Sequence, residues 1–103
     1  MKFLPLKILA AAALLAASPF ALAQIDALQT RSLAASCANC HGTNGNAAPG
    51  MVALAGYERA ALIKNMADFK SGARPATIMH QLAKGYSDQQ IEAMAGYFAA
   101  QKK

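Results

Sequence analysis

Residues 37–41 read Cys37-Ala38-Asn39-Cys40-His41, and the next residues are Gly42-Thr43-Asn44-Gly45-Asn46. Two cysteines separated by two residues and followed at once by histidine form the C-x-x-C-H spacing of covalent haem attachment. Residues three apart on a helical turn share a face, so both sulfurs can reach the two vinyl groups of one porphyrin, and His41 then stands beside the ring with its imidazole aimed at the iron. Cys37 and Cys40 are the only cysteines in the chain. Three other uses of the pair are weaker. A thioredoxin-like redox pair needs a βαβ context, and no strand pattern occurs. A zinc site needs four ligands, for which Cys37, Cys40, His41 and His80 are the only set. A plain disulfide leaves the adjacent His41 without a purpose.

Working outward, Asp26 to Cys37 lacks Gly and Pro and places Leu28, Leu33 and Ala34 near helical spacing, which predicts a first helix ending at the motif. Gly42 to Gly56 holds four glycines with Asn44, Asn46 and Pro49, the punctuation of an extended loop. Leu62, Ile63, Met66, Ala67 and Phe69 mark one face of a helix over 58–70 that Ser71-Gly72 terminates. Pro75 suits the first turn of a short helix running through Ile78, Met79 and Leu82 and stopped by Gly85. Ser87 and Gln90 form a capping-box pattern that opens the last helix, with Ile91, Met94, Ala95 and Phe98 on one side. The expected fold class is therefore all-α.

The first 23 residues read differently from the rest. Lys2 and Lys7 precede an apolar run from Ile8 to Ala17, Pro19 breaks it, and Ala21-Leu22-Ala23 supplies small residues for cleavage. The run is shorter than the roughly 20 apolar residues that span a bilayer. The expectation is a signal peptide over 1–23 cleaved after Ala23, export to the periplasm, and a mature domain over 24–103 with no membrane anchor. Over that domain eight Lys and Arg face five Asp and Glu, a formal charge of +3. Such mild basicity excludes the basic stripe of a nucleic-acid binder. At this size a side-chain core alone is marginal, and a buried cofactor serves as a staple.

The iron's second axial ligand has several candidates. Met66 and Met94 sit on apolar faces of long helices, where methionine is core packing; Met51 lies in the glycine-rich loop. Met79 and His80 remain, about 100° apart around a helix, so that only one can face a haem. Met79 shares its face with Leu82, Ala83 and Tyr86, and thioether with imidazole is the pairing of electron-carrying cytochromes c. Met79 is the expected ligand and His80 a solvent-side histidine. Pro49 is a candidate for the residue whose carbonyl accepts the Nδ1 proton of His41, or a plain turn proline.

With these residues in hand the chain resembles the class I cytochromes c, and within them the haem domains of the cytochrome subunit of flavocytochrome c sulfide dehydrogenase. The resemblance runs through Cys37 to Asn46, Phe69 to Gly72, Thr77 to Met79, Ala83 to Ser87 and Met94 to Phe98. It implies one covalent haem c, Met79 as sixth ligand, the residue at Pro49 orienting His41, and an FAD-containing sulfide dehydrogenase subunit as redox partner. It further implies an electron-transfer protein rather than an enzyme. The related two-haem cytochromes that feed terminal oxidases share much of the pattern, and this chain carries a single motif. Lys64, Lys70, Arg74 and Lys84 flank the Met79 segment and are the expected basic cluster for an acidic partner.

Overall fold

The computed structural model describes residues 24–103, so the expected signal peptide and its cleavage after Ala23 lie outside the described residues. Five α-helices follow in order: α1 (Ala27–Ala35), α2 (Ala38–His41), α3 (Arg59–Ser71), α4 (Met79–Lys84) and α5 (Asp88–Ala99). Among the described residues no strand occurs. None of these helices is long and apolar enough to cross a membrane.

Local chemistry accounts for most of the boundaries. Asp26 caps α1 by accepting from the Gln29 amide at 2.7 Å, and the Gln29 side chain accepts from the Asp26 amide in return. Ser87 and Gln90 repeat the same reciprocal arrangement at the start of α5. Each box satisfies amide donors that the first helical turn leaves without partners. Glu58 caps α3 through both carboxylate oxygens, accepting from the amides of Ala60 at 3.0 Å and Ala61 at 2.7 Å. At the other end Gly72 takes φ 81°, a left-handed conformation that ends the helix and that glycine adopts without a Cβ clash.

Two boundaries depart from the sequence reading. The first helix does not run unbroken into the cysteine motif: it tightens at Ser36 and Cys37, where the amides bond three residues back to Leu33 and Ala34, and restarts as α2. Pro75 does not open the short helix. Chain leaving Gly72 first turns back, with the Arg74 amide bonding the Asp68 carbonyl at 3.1 Å, and α4 begins only at Met79. Ile78 stands at its N-cap with no side-chain cap.

α1 and α3 both pack on α5, and α4 packs on α3. The seam is the stripe anticipated from spacing: Ile91, Met94, Ala95 and Phe98 of α5 are all buried, joined by Leu62 and Ala34. Leu33, Ile63, Met66 and Tyr86 close its edges half-buried. Leu28, counted with the first helix's apolar face, is 74% exposed. Tyr97 and Phe98 meet edge to face, ring centroids 5.3 Å apart.

The loop from Gly42 to Gly56 folds back on itself rather than extending. The Gly45 carbonyl accepts from the amides of both Leu54 and Ala55, at 2.9 and 3.1 Å. Gly45 takes φ 77°, and a Cβ there would stand 2.5 Å from the Ala55 nitrogen, so no larger residue fits. The Gly56 amide then bonds the Phe98 carbonyl at 2.8 Å and fastens the loop to α5.

The Glu58 cap sets a pH dependence. Donation from the Ala60 and then the Ala61 amide holds its carboxyl below the ordinary value of 4.5. A depressed folded-state value contributes stability above 4.5 that disappears as pH falls through the folded value. Glu58→Ala should therefore lower the melting temperature at pH 7. The gap between variant and parent, followed by circular dichroism, should narrow steadily as the pH drops below 4.5.

Candidate haem-attachment site

α2 is a single turn built from the motif itself. Cys37 is its N-cap, and the amides of Cys40 and His41 both bond the Cys37 carbonyl, at 3.3 and 2.9 Å. Cys37 and Cys40 therefore lie one turn apart as free thiols, the first half-buried and the second exposed. Burial pushes the Cys37 thiol up from its ordinary value, and the Ser36 side chain pulls the other way.

His41 closes the turn. Its Nδ1 lies 2.6 Å from the backbone oxygen of Val52. A carbonyl oxygen can only accept, so Nδ1 carries the proton and donates, and the lone pair of the neutral ring is left on Nε2. That tautomer is the one a metal ligand needs, and the partner carbonyl fixes the plane of the ring.

The partner is Val52 and not Pro49, which the sequence offered either for this role or as a plain turn proline, and of the two the turn is what the structure shows. Pro49 is the exposed corner of a β-turn closed by the Met51 amide on the Ala48 carbonyl at 3.2 Å, with Gly50 beside it at φ 91°. Proline's fixed φ suits that corner. The chain straightens only afterwards, and Val52 is the residue brought beside the imidazole. Nothing in the composition of Ala47-Ala48-Pro49-Gly50-Met51-Val52 marks Val52, because the recognised group belongs to the backbone.

Met79 and His80 open α4, and both are half-buried. His80 is not the solvent-side residue expected: its Nδ1 is sealed from solvent and has no hydrogen-bond partner. α4 packs on α3, and His80 lies one turn from the fully buried Ala83, on the covered side of the helix. The four zinc candidates do not assemble, for among the described residues no three His, Cys, Asp or Glu side chains form a metal-holding group.

The residues present fit a covalently held porphyrin on two counts. Two thiols on one turn, with a histidine whose Nε2 is left free to bind a metal, are the donor set that thioether attachment uses. The second is surface character. Val52, whose carbonyl holds His41, is 59% exposed, and Ile78 and Leu82, which flank Met79, are 55% and 45% exposed. These large apolar side chains stand exposed next to the partner of His41 and around Met79 rather than in the helical core, as surface that a flat apolar ring could cover.

Comparison with known proteins agrees. No protein-family model matches the chain. It is 42% identical to cytochrome c4 of Pseudomonas aeruginosa over 75% of its own length and 39% of that protein's. It is 39% identical to the cytochrome subunit of sulfide dehydrogenase of Chlorobaculum tepidum, over 64% of this chain and 60% of the relative. Cytochrome c-553 of Helicobacter pylori is 38% identical over 74% of this chain, which covers 81% of that relative. The chain belongs to the class I cytochromes c, small all-α proteins that carry electrons on a covalently bound c-type haem. The chain spans 60% of the length of the sulfide dehydrogenase subunit and 39% of cytochrome c4.

Single thioether bonds suffice to hold a chromophore through denaturation. Cys37→Ala and Cys40→Ala should each keep some haem on the chain in a denaturing gel, whereas the double variant should lose it; peroxidase staining of the gel reads the result.

Proposed function

We propose that this chain is a periplasmic one-electron carrier with His41 and Met79 as axial ligands, fed by an FAD-containing dehydrogenase of sulfide oxidation. The observation that supports the ligand reading is the hydrogen bond from His41 Nδ1 to the Val52 carbonyl, which leaves the Nε2 lone pair free for a metal. Met79 is supported by its place at the first turn of α4, between the exposed Ile78 and Leu82. The attached haem supplies the ferrous–ferric couple.

The chain's own residues do the rest. Cys37 and Cys40 hold the group at two points of one turn, and the Val52 carbonyl keeps the imidazole from rotating. A ring held in one orientation has little to reorganise when the charge on its metal changes. With His41 and Met79 both engaged, no coordination position is left for a substrate, which is the condition for a carrier. His80 stands 100° away around α4 with its Nδ1 sealed off, and is no part of this ligand set.

Replacement of Met79 by Ala should abolish the weak near-infrared sulfur-to-iron absorption of the ferric protein and lower its reduction potential. His80→Ala should leave both in place. Loss of the absorption in the His80 variant alone would reverse the choice of ligand.

The donor reading is supported by the 39% identity to the cytochrome subunit of sulfide dehydrogenase. The sequence's leader-like first 23 residues support export and a mature start at Gln24. A second reading, a free-standing shuttle to a terminal oxidase, is favoured by the 42% identity to cytochrome c4. The basic cluster is narrower than expected. Lys64 pairs with Asp68 at 2.5 Å, Lys70 with Asp88 at 3.3 Å, and Arg74 lies over the Phe69 ring and donates to Asn65. Only Lys84 of the four has no partner among the described residues. Protein purified from the periplasm, with an intact mass beginning at Gln24, should be reduced in stopped flow by a sulfide dehydrogenase flavoprotein. The rate should fall moderately with added salt and with Lys84→Gln. Failure of the flavoprotein to reduce it, with ready oxidation by a terminal oxidase, would favour the shuttle.

A further inference from the structure

α4 carries the proposed ligand at its first residue, and that end of the helix is weakly fixed. It has six residues, too few to be stable alone, and its N-cap offers no side-chain hydrogen bond. Residues 72–78 before it are all exposed. Its firm points lie at the far end: Ala83 is fully buried, and Tyr86 packs half-buried against the core after the chain closes through Gly85 to Leu82 and Tyr86 to Ala83.

Tyr86 also reaches across the molecule. Its hydroxyl lies 2.7 Å from Ser36 Oγ, fifty residues away in sequence. Ser36 Oγ is 2.7 Å from the Leu33 carbonyl. That carbonyl can only accept, so the Ser36 proton is committed to it, and Tyr86 must be the donor to Ser36. The result is a directed relay, Tyr86 to Ser36 to Leu33, whose middle member Ser36 is the residue next to Cys37. Among the described residues it is the one side-chain hydrogen bond between the α1–α2 segment that bears the cysteines and the segment that bears Met79.

We infer that the Tyr86–Ser36 hydrogen bond is a positioning latch, which sets the distance between the cysteine-bearing turn and α4 and so keeps the Met79 thioether on the iron. The inference rests on the reading of Met79 as axial ligand. Tyr86 stands in the turn that closes α4, its amide bonded to the Ala83 carbonyl at 3.3 Å, so a shift of Tyr86 moves the end of a six-residue helix whose first residue is Met79. Thioether sulfur is a neutral and weak ligand, and small changes in the position of its helix decide whether it or an added anion holds the site. Tyr86 touches neither, and acts through α4.

Cyanide binding to the ferric holoprotein tests it, because cyanide must displace the resident ligand. Tyr86→Phe and Ser36→Ala should each tighten cyanide binding about two- to tenfold, the range a single hydrogen bond supports. The double variant should not exceed either single, since one bond is lost in all three. Ser36→Thr, which keeps the hydroxyl, should return the parental affinity. In a Met79→Ala background Tyr86→Phe should have no effect. An unchanged cyanide affinity in Tyr86→Phe overturns the latch, as does an equal gain with Met79 already removed. If Met79→Ala itself leaves cyanide affinity and the near-infrared absorption unchanged, the ligand reading fails and takes the latch with it.

Discussion

The hydrogen bond from His41 Nδ1 to the Val52 carbonyl is the constraint around which the site is arranged. It joins the last residue of the attachment turn to a backbone group eleven positions later, and the intervening chain has to be folded for the two to meet. Gly45 makes this possible by letting Leu54 and Ala55 approach its carbonyl where any Cβ would collide. Gly56 then bonds Phe98, so the loop that orients the histidine is itself fastened to the terminal helix. The direction of the His41 ring thus depends on the α5 core through this loop.

That core is slight. Among the described residues the buried apolar set is Ala34, Ala55, Leu62, Ala83, Ile91, Met94, Ala95 and Phe98, half of it alanine. Alanine brings helices close together but contributes little apolar area of its own. The larger apolar side chains Val52, Ile78 and Leu82 are instead deployed beside the site. A domain built this way gains much of its buried area from its cofactor, and binding to the folded state alone adds directly to stability. The same side chains serve stability and cofactor retention together.

Charge is arranged with a similar economy. Three of the four basic residues around α3 and α4 are occupied by neighbours: Lys64 with Asp68 one turn on, Lys70 with Asp88 at the start of α5, and Arg74 against Phe69 and Asn65. Exposed pairs of this kind contribute little stability, about 1 kcal/mol at most. Their larger effect is on the field, because a lysine beside a carboxylate attracts an approaching acidic surface much less than a free one.

The sequence by itself determined the chemistry and most of the helices. Cys37-Ala38-Asn39-Cys40-His41 names its cofactor because attachment needs those atoms at that spacing, and the capping box at Ser87 and Gln90 and the helix stop at Ser71-Gly72 are local rules satisfied by neighbours a few residues away. The α5 stripe was equally legible, since burial there follows a 3.6-residue period. What only the tertiary structure decided involves partners distant in sequence or groups that every residue possesses. Val52 rather than Pro49 holds His41 because the acceptor is a backbone carbonyl, which leaves no trace in residue type. His80 Nδ1 is sealed because α4 packs on α3, and Tyr86 is tied to Ser36 because the turn after α4 meets the end of the first helix. Periodicity places a residue on a face of its own helix, and only the packing of the other helices determines what that face meets.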